Sequence, residues 1–245
     1  MKFVWEGINK NFDEEAKLDK VFENDKWTKK QQKKLESLFC NTTKIYKNNF
    51  SEYCLPVVVA CLDKKIVSIL DFGGGVGEEY FKIKNSIQNK KIKYYLLENK
   101  EILKILREKE FHKKFNLLTN IKKNEKKDII HFGSSFHYIE NWKSTLKNCM
   151  RYKPKYIIFA DLFCGDIDYT FSTNQIYYDK KIPIWIFKEN DIINFLKKYD
   201  YIVSYKSNFI SEFMKYHKDI LPMNNFPKNL RIEYPKQLIF RTRKA

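Results

Sequence analysis

The sequence predicts an α/β fold: a seven-stranded, mostly parallel sheet with helices on both faces, preceded by a helical N-terminal extension. Three observations carry that expectation. From Ile66 onward, short apolar runs of strand character alternate with stretches of helical periodicity, and such alternation implies parallel strands joined by right-handed crossovers. Four of the seven glycines fall within the five positions 73 to 77, at the end of the first of those runs. The 245 residues, 43% of them hydrophobic, suffice for one well-buried α/β domain with modest additions and are too few for two full ones.

The elements are expected as follows. Residues 1–64 are strongly charged and read as a helical extension or cap. Trp27, Leu35, Leu38, Phe39 and Ile45 fall near helical spacing, and Phe50 to Leu62 reads as a helix packed on a sheet. Residues 65–245 form the sheet domain, with strands at Ile66–Phe72, Lys93–Glu98, Phe115–Leu118, Asp128–Phe132, Tyr156–Asp161, Tyr201–Tyr205 and Gln237–Arg241. Helices are expected at Glu79–Ile87, Lys100–Lys109, Asn141–Met150 and Lys188–Tyr199. The last two strands are separated by an irregular stretch holding Pro222, Pro227 and Pro235, which suits a final antiparallel strand in the edge region of the sheet. Segments near 162–187 and 208–235 are expected to cover a substrate, because loops at that edge of an α/β sheet carry function.

Composition narrows the function classes. The longest apolar run, Leu55 to Leu62, contains Pro56 and falls well short of the ~20 residues a membrane helix needs. Glu6 stands where a signal peptide would require apolar residues. The five cysteines are scattered without close pairs, so buried thiols in a reducing cytoplasm are expected. The net charge of +17 raises the question of nucleic acid. Only five of the 47 basic residues are arginine, however, and the lysines are spread along the chain. Arginine is the residue suited to bidentate phosphate and base contacts, so a solvated basic surface serving a small anionic acceptor is favoured over an RNA groove.

The chemistry centres on Ile69-Leu70-Asp71-Phe72-Gly73-Gly74-Gly75-Val76-Gly77-Glu78-Glu79. An apolar strand ends in an acid, the chain turns on glycines, and a helix begins. Glycines there let backbone approach a ligand with no Cβ in the way, outside the carboxyl ends of parallel strands where ligands bind. A dinucleotide site needs Gly-x-Gly-x-x-Gly; counted from Gly73 or Gly75 the third position is Glu78 or Tyr80. Two acids at the helix start would also repel a pyrophosphate, and a Walker loop lacks its Lys-Ser/Thr. Twenty-one residues after Gly77, the next strand ends at Glu98, placed to accept hydrogen bonds from both hydroxyls of a ribose. The alternative is a tight turn followed by a surface glutamate.

The pattern Asp71-x-Gly73-x-Gly75-x-Gly77 resembles motif I of class I S-adenosylmethionine-dependent methyltransferases. Further segments narrow the resemblance: Phe3-Val4-Trp5-Glu6-Gly7 with Phe12-Asp13-Glu14-Glu15-Ala16, then Tyr95-Leu96-Leu97-Glu98-Asn99, and Asp128-Ile129-Ile130-His131-Phe132-Gly133-Ser134-Ser135-Phe136-His137-Tyr138-Ile139. Thr173-Asn174-Gln175 and Tyr178 precede Pro183-Ile184-Trp185-Ile186-Phe187. On these residues the chain, to about residue 205, is similar to a methyltransferase family commonly encoded among bacterial surface-polysaccharide genes for O-antigen and capsule. Two positions depart from that pattern. The family tends to carry Arg-Thr after its fifth strand, where this chain reads Phe159-Ala160-Asp161-Leu162-Phe163, and His137 stands where glutamine is usual.

The resemblance implies a Rossmann-like methyltransferase with S-adenosylmethionine as cofactor. Gly73, Gly74, Gly75 and Gly77 would receive its methionine half, with Asp71 holding the loop or the amino group. Glu98, followed by Asn99, would bind ribose. Thr119 and Asn120 would meet the adenine, and Gly133, Ser134 and Ser135 would close the fourth strand end beside the sulfonium. If the acceptor is a hydroxyl, His137 and Asp161 are the candidate bases. The ordinary histidine pKa near ~6.5 suits that role, although His137 reads equally as a hydrogen-bonded turn residue and Asp161 as a cap. Gln175, Tyr178 and His217 are candidate acceptor contacts. His112 and His131 read as structural or surface residues. His131, Cys164 and Asp161 form no metal-ligand set, so no catalytic metal is expected. Two rival readings are an RNA methyltransferase and a non-catalytic interaction module on the same fold.

Overall fold

The computed structural model describes residues 4–40, 53–121, 125–177, 180–210 and 220–243. In chain order the elements are β1 (Trp5–Asn9), α1 (Glu14–Lys17), α2 (Asp25–Cys40), α3 (Cys54–Cys61), β2 (Ile66–Phe72), α4 (Glu78–Ser86), β3 (Lys91–Leu97), α5 (Lys100–Glu108) and β4 (Asn116–Leu118). They continue with β5 (Ile129–Gly133), α6 (Trp142–Met150), β6 (Tyr156–Leu162), β7 (Cys164–Gly165), β8 (Phe171–Tyr177), β9 (Lys180–Lys188), α7 (Glu189–Lys197), β10 (Tyr201–Asn208) and β11 (Lys236–Thr242).

Seven strands form the main sheet in the order β10-β11-β6-β5-β2-β3-β4. Strands β2 to β6 run parallel, and β11 is antiparallel to both β6 and β10. The final strand is therefore one in from the edge, and β10 takes the edge itself. Period-two alternation explains why both faces need covering. Ile69, Leu96, Ile129, Ile158 and Ile239 pack with Leu55 and Val59 of α3, Ile83 of α4 and Ile102 and Leu106 of α5. Their chain neighbours Leu70, Leu97, Ile130, Phe159 and Phe240 pack on the other face with Trp142 and Leu146 of α6 and Ile192 and Leu196 of α7. No helix among the described residues is long and apolar enough to cross a membrane.

The described N-terminal extension is helical, as expected, at α1, α2 and α3, and departs from that character at its start. Trp5–Asn9 is a strand, pairing antiparallel with β8 in the register Trp5 opposite Gln175 and Glu6 opposite Asn174. The segment expected to wall a pocket near 162–187 is the rest of a second sheet, ordered β1-β8-β9-β7. Trp5, Phe163, Phe171, Ile184 and Ile186 fill its apolar side together with Leu221, Met223, Phe226, Leu230 and Ile232. The described part of the late insert thus packs against this sheet. The short turn Phe136–Tyr138 after β5 contributes Tyr138 to the same cluster, which brings the second sheet to the carboxyl ends of β5 and β6.

Candidate active site

β2 ends in Asp71 and Phe72, and the chain then turns through Gly73 (φ 66°), Gly75 (φ 57°) and Gly77 (φ 79°) into α4. These left-handed angles favour glycine. Gly74 is required for a different reason: a Cβ there would overlap the Asp71 carboxylate and lie 2.5 Å from Leu96 Cδ1. Asp71 is wholly buried. It accepts hydrogen bonds from the Tyr94 hydroxyl and from His131 Nδ1, the latter at 2.8 Å. Of the two roles expected for Asp71, the geometry supplies loop support, since both carboxylate oxygens are engaged beneath the loop. Burial lowers the His131 pKa, but the Asp71 charge and hydrogen bond outweigh it, and the net shift is upward.

Glu98 follows β3. Its Oε2 accepts from Gly75 N at 3.0 Å and its Oε1 from Asn99 N at 2.8 Å. Burial raises its pKa, partly offset by those two backbone donors. Asn99, expected at the cofactor, caps α5 by accepting from Ile102 N at 3.0 Å and donates from Nδ2 to the Phe22 carbonyl at 3.5 Å. Its side chain is committed to structure beside Glu98. Thr119 and Asn120 follow β4 and are exposed, their side chains 3.5 Å apart.

The turn after β5 binds the two halves of the site together. Ser135 Oγ donates to the Phe72 carbonyl at 2.5 Å, and a Cβ on Gly73 would come 2.7 Å from Ser135 Cβ. On Gly133 a Cβ would come 2.8 Å from His131 Cε1. Ser134 and Asp161 both hold left-handed backbone, and Ser134 Oγ donates to Asp161 Oδ2 at 2.7 Å. Burial pushes the Asp161 pKa up to about 7, opposed by the Ser134 hydrogen bond. His137 is 1% exposed. It lies between Tyr138 and Phe163, with ring centroids 4.3 and 4.4 Å away. Its Nδ1 has no hydrogen-bond partner, and burial drives its pKa down to about 3. The ordinary value on which its expected role as base rested is therefore not the value it has here.

Gln175, on β8, is buried, and its Oε1 accepts from the Tyr138 hydroxyl at 2.8 Å. Tyr178 and His217 lie outside the described residues. Sequence reasoning missed Tyr94 and His131 as partners of Asp71, because a tyrosine inside a strand and a histidine in the next strand but one read as packing. It also missed α2, which crosses the glycine loop: Lys34 pairs with Glu78, and Gln31 Oε1 stands 3.5 Å from where a Cβ on Gly75 would be. The available signal was Gln31 itself, four residues after Trp27 and four before Leu35 on the apolar face of that helix.

A glycine loop after the first parallel strand, an acid after the second, and a penultimate antiparallel strand define the class I methyltransferase fold. No family model and no curated protein matches the sequence. Solved structures do match. A candidate methyltransferase from Haloferax volcanii, in complex with the Trm112 methyltransferase activator, is 11% identical, with 89% of this chain and 94% of that one covered at a TM-score of 0.57. Magnesium protoporphyrin IX methyltransferase from Synechocystis, with bound S-adenosylhomocysteine, is 10% identical, with 94% and 100% covered and a TM-score of 0.56. The 1,6-didemethyltoxoflavin-N1-methyltransferase of Burkholderia thailandensis, with bound 1,6-didemethyltoxoflavin and S-adenosylhomocysteine, is 10% identical, with 89% of each chain covered and a TM-score of 0.51. At these identities the likeness is one of fold.

Proposed function

We propose that this chain is an S-adenosylmethionine-dependent O-methyltransferase acting on a small anionic precursor of a surface polysaccharide. The acceptor would be a sugar, a nucleotide-linked sugar or a phosphoramidate-type group. The carrying observation is the meeting of the glycine loop with Glu98 at the carboxyl ends of β2 and β3. Gly73, Gly75 and Gly77 hold left-handed backbone with no side chain of their own, and the half-buried Glu98 carboxylate accepts from Gly75 N. Glu78 and Glu79 stand at the start of α4, where acids disfavour a pyrophosphate, and each is paired with a lysine, Lys34 and Lys82. In this reading Gly73 to Gly77 hold the methionine half of the cofactor, Glu98 the ribose, and Thr119 and Asn120 the adenine.

The cofactor supplies a methyl group activated on a sulfonium, so alignment carries most of the rate. The remaining task is removal of the acceptor's proton. Asp161, with its pKa near 7, is poised to take it at neutral pH, and Ser134 fixes the carboxylate's orientation. His137 is held neutral and is assigned to the pocket wall with Gln175; Tyr178 and His217 are assigned to the acceptor on sequence grounds. The surface-polysaccharide assignment rests on the sequence resemblance, and the anionic acceptor on the net charge of +17. A small acceptor agrees with two of the neighbours, which are named for small ring compounds.

The test is transfer of a radiolabelled methyl group from S-adenosylmethionine to a panel of nucleotide-linked sugars. Transfer that falls roughly 10²–10⁴-fold in Asp161→Asn, with unchanged affinity for S-adenosylhomocysteine, supports the reading. Transfer to RNA instead, steeply weakened by salt, overturns the small-acceptor part.

A further inference from the structure

We propose that Gln31 of α2 is a cofactor-binding residue whose side-chain amide takes the amino-acid tail of S-adenosylmethionine. The inference rests on the proposed function above and adds a ligand from outside the methyltransferase sheet. Three observations meet at this residue.

The first is position. α2 is fixed on both sides of the glycine loop. The Phe22 carbonyl just before it accepts from Asn99 at the end of β3, and Lys34 pairs with Glu78 at the start of α4. Gln31 lies between these anchors, its Oε1 above Gly75. The second is pattern. Trp27, Gln31 and Leu35 are spaced four apart and share one helix face. Trp27 and Leu35 are buried in the core on either side, and the half-buried Gln31 between them turns its amide to the loop.

The third is the state of the acids. The ammonium group of the tail needs acceptors, and the carboxylates around the loop already have partners, Glu78 in Lys34 and Glu79 in Lys82. Asp71 is fully buried and bonded to Tyr94 and His131. Glu98 faces Gly75 N and Asn99 N, where it suits the ribose. An amide offers an acceptor to the ammonium and a donor to the carboxylate of the same zwitterion, without placing a further charge beside Glu78 and Glu98.

The experiment is calorimetric titration of two ligands, S-adenosylhomocysteine and 5′-methylthioadenosine, into wild type, Gln31→Ala and the near-isosteric Gln31→Met. The second ligand keeps the adenosine and lacks the amino-acid tail. Roughly tenfold weaker S-adenosylhomocysteine binding in either folded variant, with 5′-methylthioadenosine unchanged, is the expected result. Unchanged S-adenosylhomocysteine affinity would overturn the assignment and leave the tail to backbone carbonyls of the loop. Equal weakening of both ligands would also overturn it, reducing Gln31 to a prop for α2. Wild-type protein that binds neither ligand would remove the proposed function itself, and the assignment with it.

Discussion

The Ser134 hydroxyl donates to the Asp161 carboxylate at 2.7 Å, and both residues hold left-handed backbone, at φ 53° and 55°. Ser134 follows β5, and Asp161 is the last residue but one of its parallel neighbour β6. Non-glycine residues in that region are uncommon and such strain gathers at functional sites, where surrounding structure sustains it. Here the two distorted residues support one another, and the result is a buried carboxylate held in a single orientation.

Burial of that carboxylate makes stability depend on pH in a defined direction. The Asp161 pKa is about 7 in the folded chain against ~3.9 in an unfolded one. The native state therefore binds the extra proton between those values. Its contribution is fully present below pH ~4 and is lost as pH rises through about 7. Asp161→Asn removes the loss, and asparagine tolerates the left-handed backbone. Urea unfolding at pH 5 and pH 8 should show the variant gaining on wild type at the higher pH, by roughly 1–4 kcal/mol. A difference that does not change with pH would show that Asp161 is ionised in the folded protein.

His137 is expected to tolerate loss of its polarity. Its buried Nδ1 has no partner and its ring already sits between two aromatic rings. His137→Phe should leave thermal stability within about 1 kcal/mol of wild type, since removing an unsatisfied buried group relieves a desolvation penalty. Methyl transfer should keep its pH profile, set by Asp161. Abolished transfer in the folded variant would return the role of base to His137.

The glycine loop rests on a buried network, so the network should be felt at the loop. Tyr94→Phe strands one oxygen of Asp71, and leaving a buried acceptor unsatisfied costs about 1–3 kcal/mol. Chemical denaturation should record that loss, together with weaker S-adenosylhomocysteine binding. Full stability in the variant would mean that the Tyr94 hydroxyl does not hold Asp71 in place.

Gly74→Ala and Gly75→Ala should separate two demands on glycine. At Gly75 the demand is conformational, and a left-handed alanine costs roughly 1–2 kcal/mol. At Gly74 the added carbon would overlap Asp71 and meet Leu96, so the loop itself must move. Calorimetry should find binding lost in Gly74→Ala and weakened in Gly75→Ala; the reverse order would contradict the loop geometry.

The sheet was legible because its strands are buried on both faces and end in recognisable turns. Ile66–Phe72 was read to the residue, and the six other main-sheet strands to within three residues at each end. The second sheet was not, for local reasons. Trp5–Asn9 buries only Trp5 fully, so it shows no strand periodicity, and its partner β8 lies some 170 residues away in sequence. Pro183 argues against a strand in its run. β9 accommodates it because β7 pairs only with Phe187 and Lys188, leaving Pro183 with a strand neighbour on one side. At the site, Gly73 to Gly77 and Glu98 were legible because spacing along the chain reports them. The engagement of Asp71 by Tyr94 and His131 depends on strands adjacent in space, and no spacing along the chain encodes it.

The central claim is that the glycine loop and Glu98, at the carboxyl ends of β2 and β3, bind S-adenosylmethionine. The most direct test is calorimetric titration of S-adenosylhomocysteine into the wild-type chain and into Glu98→Ala. Micromolar binding, weakened by about 1–3 kcal/mol in the variant, is the predicted result. A folded wild-type chain that does not bind, or a variant that binds equally well, would contradict it.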